Sequence, residues 1–166
     1  MLISFSGLPG SGKSTIARAV ARQLGAAYLR IDTIEDELFC LGGAPIVENG
    51  GGYVIACKVA EDNLQLGRIV VADCVNPSAV TRQAWTKVAL RTGTSIVDVH
   101  LVCSNAQEHE RRIKSRLPGS RGADWDEIRK RHIEPPHPDA LIVDTAEGSV
   151  EFHAASVVHE CTRRRT

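Results

Sequence analysis

The stretch SFSGLPGSGKSTIA, residues 4–17, joins a short apolar run to a segment whose apolar residues have helical spacing. Within this stretch, three glycines and one proline fall among the seven residues from Gly7 to Lys13. Glycine adopts backbone conformations that other residues avoid, and it weakens the interior of a helix or strand. The density of glycine therefore predicts a tight loop in which the backbone comes close to another group.

The residues from Gly7 to Ser14 fit the pattern G-x-x-x-x-G-K-[ST] between a predicted strand and a predicted helix, which is the context of a phosphate-binding loop. In such a loop the backbone N–H groups turn toward a phosphate, and the positive end of the helix adds to the attraction. We expect Lys13 to bridge the β- and γ-phosphates of ATP and Ser14 to bind Mg²⁺. A glycine-rich turn that only connects the two elements is the alternative. The expected nucleotide-binding residues are Gly7, Leu8, Pro9, Gly10, Ser11, Gly12, Lys13, Ser14 and Thr15.

The bulk composition favours one domain spanning residues 1–166. The chain has 20 basic and 20 acidic residues, so it carries no overall field that would attract nucleic acid or an anionic membrane. No apolar run approaches the length of a membrane span, and we expect a cytoplasmic protein. The five cysteines are odd in number and lack C-x-x-C spacing. This argues against a disulfide framework or a zinc site, and each cysteine is expected to be a small buried residue.

Short apolar runs alternate with longer segments of helical spacing along the whole chain. This pattern predicts a three-layer α/β fold with a parallel sheet, in which ligands collect at the carboxyl ends of the strands. Asn76 and Pro77 are expected to be the N-cap and first residue of the fourth helix. The predicted strands cover 2–6, 27–31, 69–72, 96–102 and 140–143, and the predicted helices cover 13–24, 33–41, 53–66, 77–92, 106–117, 124–131 and 149–162.

Two acidic residues follow predicted strands at the edge where the glycine-rich loop lies. Asp32, after the second strand, is expected to accept the proton of an acceptor hydroxyl. Asp32 and Glu35 also form a D-x-x-E helix start, whose carboxylates could merely satisfy free N–H groups. Asp73, at the end of the third strand, is expected to help hold Mg²⁺ or to contact the acceptor, with a simple turn carboxylate as the alternative.

A basic segment follows the fourth strand. Residues 109–121 contain five basic side chains and one acid, and Pro118, Gly119 and Gly122 interrupt the helix. We expect residues 109–137 to form a helical lid, in which Arg112 and Arg116 contribute to catalysis by closing over the transferring phosphoryl group. Arg112 could instead bind the nucleotide by stacking on its base. A solvated helix face is the other interpretation of these charges.

Two further segments are candidates for contact with a ligand. Glu48, Asn49 and Tyr53 lie in or just after a glycine-rich loop that could cover an acceptor pocket, although a plain flexible connection fits equally well. Residues 144–147, after the last strand, are candidates to border the adenine.

These motifs together resemble the group of P-loop kinases that includes the polynucleotide 5′-kinase, chloramphenicol phosphotransferase and zeta-toxin families, which are small AAA-type kinases. The resemblance implies a five-stranded parallel sheet of order 2-3-1-4-5, with an acid after the second strand as general base. It also implies lid arginines with the spacing of Arg112 and Arg116.

The expected function is therefore an ATP- and Mg²⁺-dependent transfer of the γ-phosphoryl group to a hydroxyl of a small molecule, such as a nucleoside, nucleotide, sugar or antibiotic. The alternatives are a nucleotide-dependent ATPase or switch that acts on a protein, an adenylate- or cytidylate-type kinase, and a polynucleotide 5′-hydroxyl kinase. The D-G-[FY]-P-R segment of nucleoside monophosphate kinases is absent, and ADCVNPSAV stands in its place. We expect a monomer or weak dimer.

Overall fold

The computed structural model describes residues 1–116 and 124–164. The strands are β1 (Leu2–Ser6), β2 (Ala27–Arg30), β3 (Val70–Asp73), β4 (Ile96–Val102) and β5 (Leu141–Asp144). The helices are α1 (Lys13–Leu24), α2 (Ile31–Cys40), α3 (Ala44–Glu48), α4 (Gly51–Gln65), α5 (Ala79–Thr92), α6 (Ala106–Lys114), α7 (Trp125–Lys130) and α8 (Val150–Arg163).

The five strands form one parallel sheet in the order β2-β3-β1-β4-β5, which confirms the predicted order. All five residues of β1 are buried, because helices cover both faces of the sheet. One core cluster packs side chains of α1 and α8 against the sheet, and a second cluster packs those of α2, α4 and α5 on the other face. The three-layer α/β architecture is therefore confirmed.

The sheet brings the predicted site residues to one edge. Phe5 pairs with Asp73, and Arg30 also pairs with Asp73, so the carboxyl ends of β1, β2 and β3 lie side by side. The glycine-rich loop leaves β1 at this edge and leads into α1. Side chains that follow three separate strands can therefore act on one ligand.

The segment between α2 and α4 is more helical than its glycines predict. Residues 44–48 form α3, and α4 begins at Gly51 rather than at Tyr53. Gly42 and Gly50 adopt positive φ angles of 79° and 78°, and they lie just before the first residues of α3 and α4. The glycines here lie in short turns between consecutive helices or within α4, so the predicted glycine-rich loop before Tyr53 is largely helical.

The predicted start of α5 is also wrong. The N-cap is Ser78, whose side chain accepts a hydrogen bond from the backbone N–H of Thr81 in a capping box. Asn76 lies two residues earlier, is fully buried and has a φ of 47°. Its side-chain amide donates to Ser4 Oγ and to the carbonyl of Phe5, so its role is to fix the turn after β3 against β1.

The cysteines divide into two groups. Cys57, Cys74 and Cys161 are buried as expected, whereas Cys40 is exposed and Cys103 is partly exposed. Within residues 1–116 and 124–164, every helix is too short or too polar to cross a lipid bilayer.

Candidate nucleotide-binding and catalytic site

The loop of residues 7–12 is packed tightly between β4 and α6. Gly7 has a φ of 133°, and a Cβ atom there would lie 2.2 Å from the carbonyl oxygen of Leu101. At Gly10, with a φ of 83°, a Cβ atom would lie 2.6 Å from Ile113 Cδ1. Both positions therefore require glycine for conformation and for space. The loop has the tight backbone path that its sequence predicts.

Lys13 lies at the start of α1 with its side chain turned back into the loop. Its Nζ donates a hydrogen bond to the carbonyl oxygen of Leu8 at 2.9 Å. Burial lowers the pKa of Lys13 from its usual 10.5 to about 8, although the nearby charges of Asp73 and Asp32 act in the opposite direction. Leu8 is the one hydrogen-bond partner of the ammonium group among the described residues, so donors are left for an anionic ligand.

Asp73 ends β3 and is buried beside Lys13. Its Oδ2 atom accepts a hydrogen bond of 2.6 Å from the hydroxyl of Tyr28, and Arg30 Nε lies 3.9 Å from the same oxygen. Burial, together with the hydrogen bond to Asp73, raises the pKa of Tyr28, so Tyr28 stays a neutral donor. Side chains of the neighbouring strand β2 therefore hold the carboxylate of Asp73 in place.

The residues present fit a magnesium ion. The Oδ1 atom of Asp73 receives no hydrogen bond from the described residues, and Ser14 lies in the first turn of α1. Mg²⁺ is typically held by one or two protein oxygens together with phosphate oxygens. No group of three or more His, Cys, Asp or Glu side chains suited to a metal occurs within residues 1–116 and 124–164. A metal ion at this edge would depend on Ser14, Asp73 and the nucleotide itself.

Asp32 lies within the first turn of α2, one residue after the helix begins. The N-cap residue is Arg30, and its side chain makes no capping hydrogen bond, so Asp32 is not at the N-cap position that the D-x-x-E pattern implies. Asp32 Oδ2 instead accepts a hydrogen bond of 2.8 Å from Arg30 Nη2. The carboxylate is partly exposed and faces a cavity.

This cavity has a volume of about 380 Å³ and lies between α2, α4 and the turn before α5. Tyr53 forms part of its wall, with its ring 6.5 Å from that of Trp85 and its hydroxyl accepting a hydrogen bond from the backbone N–H of Asn76. Glu48 and Asn49 lie in α3 and at its C-cap and do not line the cavity. The lining residues are Ile31, Asp32, Glu35, Tyr53, Val75, Pro77 and Arg131.

Arg112 lies on α6 and points toward the turn between β5 and α8. Its guanidinium donates to Thr145 Oγ1 at 2.8 Å, to the carbonyl of Thr145 at 2.7 Å and to Glu108 Oε1 at 2.8 Å. Thr145 Oγ1 in turn donates to the carbonyl of Ser11 at 3.0 Å. Arg112 therefore adjoins the segment that is predicted to border the adenine.

Arg116 follows the end of α6 and faces a different part of the site. Burial lowers the pKa of Arg116, while the charge of Asp32 raises it and that of Arg30 lowers it. The two arginines of the predicted lid thus have different surroundings, since Arg112 contacts Thr145 whereas Arg116 lies near the charge of Asp32. The lid positions Pro118, Gly119, Arg121 and Gly122 lie outside the described residues.

His109 is a further site residue, and its sequence context gave no signal. Its Nε2 atom lies 2.7 Å from the carbonyl oxygen of Pro9, and its ring packs edge-on against Trp125 at 5.2 Å. His109 also borders a second cavity of about 340 Å³, which lies between the glycine-rich loop, β4 and residues 133–136. The side chain thus joins the glycine-rich loop to both helices of the predicted lid.

Tyr28 and Arg30 are two further site residues that the sequence predictions do not include, although their spacing in the sequence is a signal for them. The two residues are two apart on β2, so they share one face of the strand, and the strand leads directly to Asp32. A polar pair on one face of a short strand beside Asp32 would have indicated contact with the site.

Comparison with known proteins agrees with the fold and the loop. A UPF0200 protein from Aeropyrum pernix is 27% identical over 130 residues, which cover 72% of this chain and 67% of that protein. The APS kinase of Mycobacterium tuberculosis, in complex with AMPPNP and APS, superposes with a TM-score of 0.76 at 25% identity and covers 97% of this chain and 96% of that chain. A gluconokinase from Sinorhizobium meliloti 1021 shares the fold with a TM-score of 0.63 at 16% identity, over 99% of this chain and 97% of that chain.

The architecture is thus that of the P-loop kinases, and it supports a nucleotide-dependent phosphotransferase. The model of one family, described as an AAA domain, matches residues 2–135, which is more than half of the sequence. The chain therefore belongs to the AAA domain family AAA_33.

Proposed function

We propose that the protein is an ATP- and Mg²⁺-dependent kinase that transfers the γ-phosphoryl group to a hydroxyl of a small molecule. The observation that carries this proposal is that Asp32 lines a cavity of about 380 Å³ and also lies near enough to Lys13 for its charge to act on that side chain. Phosphoryl transfer needs little from a protein beyond alignment, charge neutralisation and a group that receives the hydroxyl proton. The chain has a side chain suited to each of these tasks.

The tasks divide among separate elements. The loop amides and Lys13 bind the phosphates, Ser14 and Asp73 hold the metal, and Asp32 receives the proton of the acceptor hydroxyl. A bound Mg²⁺ would neutralise phosphate charge at this edge of the sheet. Arg112 supports the nucleotide from the side of Thr145, and Arg116 supplies positive charge near Asp32.

The acceptor cavity favours a polar compound with an apolar portion. Ile31, Val75 and Pro77 give it apolar surface, while Asp32, Glu35 and Arg131 give it charge of both signs. Its volume of about 380 Å³ suits a compound in the size range of a nucleoside, nucleotide or sugar. APS kinase, whose structure contains AMPPNP and APS, supports a small-molecule acceptor over a macromolecular one.

A screen of hydroxyl compounds for accelerated ADP release tests this proposal. With the best acceptor, Asp32→Asn should lower kcat about 100-fold or more, because the general base is lost, while the Kd for Mg·ATP changes little. Asp62→Asn, on the exposed face of α4, is the matched control and should behave as the parent.

Two results would contradict the kinase. If no class of acceptor exceeds the rate with water, the protein is a nucleotide-dependent ATPase or switch. If Asp32→Asn leaves acceptor turnover intact, Asp32 is not the base.

A further inference from the structure

Asp32 and Asp73 belong to different elements, yet both contact one guanidinium group. Arg30 Nη2 donates to Asp32 Oδ2 at 2.8 Å, and Arg30 Nε lies 3.9 Å from Asp73 Oδ2. Arg30 Nη1 also donates to Thr33 Oγ1 at 3.3 Å. The guanidinium is therefore anchored to the first turn of α2 and extends back over the end of β3.

Strand geometry explains why Arg30 reaches both carboxylates. Arg30 is the last residue of β2, and its register partner on β3 is Asp73. Tyr28, two residues earlier on the same face, donates its hydroxyl to Asp73 Oδ2 at 2.6 Å. The ring of Tyr28 is itself covered by the guanidinium of Arg18 at 5.9 Å. One edge strand thus supplies both groups that hold Asp73.

Among residues 1–116 and 124–164, each carboxylate is held through one of its two oxygens. Arg30 engages Oδ2 of Asp32, and Tyr28 with Arg30 engages Oδ2 of Asp73. The described residues place no hydrogen bond on the Oδ1 atom of either aspartate. A carboxylate that is fixed at one oxygen presents the other in a defined direction, which is what a proton acceptor or a metal ligand requires.

We propose that Arg30 is a positioning residue that couples the acceptor base Asp32 to the metal-side carboxylate Asp73, and that Tyr28 helps to hold Asp73 through the same Oδ2 atom. This inference rests on the proposed kinase function. In this proposal Arg30 acts through the two aspartates and does not itself bind the acceptor or the phosphates. The positive charge of Arg30 lies between the carboxylates of Asp32 and Asp73. It offsets the repulsion between them at the proposed meeting point of ATP and the acceptor.

Arginine suits this task better than lysine does. The planar guanidinium presents several N–H groups in fixed directions, so it contacts Asp32 through one edge while Nε faces Asp73. Nε is buried and has no hydrogen-bond acceptor among the residues that the structure describes. A lysine has one ammonium group on a flexible stem and can maintain only one of the two contacts at a time.

The first test compares Arg30→Gln and Arg30→Lys with the parent, using the best acceptor. Arg30→Gln should lower kcat about 100-fold with both KM values within about twofold, because misalignment by about an ångström affects transfer more than binding. Arg30→Lys should recover only part of kcat. Arg68→Gln, an exposed arginine just before β3, is the control and should be neutral.

Two outcomes of this test overturn the proposal. Unchanged kcat in Arg30→Gln shows that the contact has no role in transfer. A raised acceptor KM with kcat intact shows that Arg30 binds the acceptor directly. Denaturant midpoints of the variants show whether a loss of rate comes from unfolding. If Arg30→Gln is unfolded, the comparison with the parent is made with Arg30→Lys.

The second test needs no transfer reaction. Mn²⁺ affinity in the complex with AMPPNP, measured by electron paramagnetic resonance, should fall about tenfold in Tyr28→Phe and in Arg30→Gln and stay constant in Arg68→Gln. If no acceptor is found, this measurement still decides whether Tyr28 and Arg30 position Asp73 for metal binding. If acceptors are turned over and Mn²⁺ affinity is unchanged in both variants, the coupling is wrong while the kinase function stands.

Discussion

Lys13 is a cation that the fold has largely removed from water. Because burial lowers its pKa to about 8, the nucleotide-free protein loses the ammonium charge as the pH rises through that value. Only the charged form attracts phosphate. We therefore expect the affinity for Mg·ATP to be constant below about pH 7 and to weaken by about tenfold per pH unit above 8, with net proton uptake on binding.

Isothermal titration calorimetry in two buffers of different ionisation enthalpy measures this uptake. Lys13→Gln should bind weakly and without the pH dependence. The effect of rising pH on stability is opposite to its effect on binding. In the unfolded chain Lys13 has a pKa near 10.5, so it keeps its proton to a higher pH than in the folded protein. This contribution should therefore raise the free energy of unfolding between about pH 8 and 10.5. An affinity that is flat from pH 7 to 9.5 would contradict the assignment of Lys13 to the phosphates.

Asn76 is a second residue whose environment gives a measurable expectation. Its side-chain amide holds Ser4 Oγ and the carbonyl of Phe5, and its backbone has a φ of 47°, which asparagine and glycine tolerate better than other residues. Asn76→Ala should lower the free energy of unfolding by about 3 kcal/mol, because it leaves buried groups unpaired and strains the turn.

Asn76→Gly separates the two causes, since it relieves the backbone strain but still lacks the amide. Chemical denaturation should place it between the parent and Asn76→Ala, about 1 kcal/mol above the latter. Equal loss in both variants would show that the left-handed conformation carries no cost.

At the scale of elements, the sequence predicted what depends on local pattern. The β1 run, the glycine-rich loop and α1 appear where the motif places them, because apolar period and glycine density are local properties. The sheet order came from the resemblance to a kinase group. The positions of Asp32 and Asp73 at one edge of the sheet can also be predicted from the sequence, since each lies at or just after the end of a parallel strand.

The errors arise where tertiary contacts override local pattern. Asn76 precedes a proline, as an N-cap often does, yet its side chain is drawn into the sheet by Ser4 and Phe5. Likewise, the contact of Arg30 with Asp73 depends on strand register, and that of His109 with Pro9 depends on how α6 packs. None of these partners can be read from neighbouring residues.

Packing between the loop and α6 predicts a difference between two glycines. Gly10 and Gly25 both have positive φ angles, of 83° and 58°, but a Cβ atom at Gly10 would meet Ile113 and His109 whereas one at Gly25 would meet nothing within 4 Å. Gly10→Ala should weaken Mg·ATP binding at least about tenfold, because the loop must shift away from α6. Gly25→Ala should cost about 1 kcal/mol of stability and leave binding intact.

Paired measurement of Mg·ATP affinity and denaturant midpoint decides this comparison. Both variants carry the strain of a left-handed alanine, but only Gly10 lies in the glycine-rich loop and packs against α6. Equal affinity in the two variants would mean that α6 does not support the phosphate-binding loop.

On the scale of the whole molecule, the loop after β1 is a junction between distant segments. Gly7 lies against β4, Ser11 accepts a hydrogen bond from Thr145 in the turn after β5, and His109 and Arg112 connect α6 to the same region. Because the segments that surround the loop come from most of the sheet, a ligand held there should stabilise the fold as a unit rather than locally.

Thermal unfolding measures that coupling. At 100 times its Kd, Mg·ATP should add about 2.7 kcal/mol to the free energy of unfolding, which for a chain of this size corresponds to a rise in Tm of about 5–10 °C. Removal of Mg²⁺ with EDTA should reduce the shift, because the ion that Ser14 and Asp73 are proposed to hold would neutralise phosphate charge. Lys13→Gln should show almost no shift at the same ATP concentration, and Arg68→Gln should show the full one. A full shift in Lys13→Gln would mean that ATP stabilises the protein from another site, since the buried ammonium is the only loop side chain whose charge favours a polyphosphate.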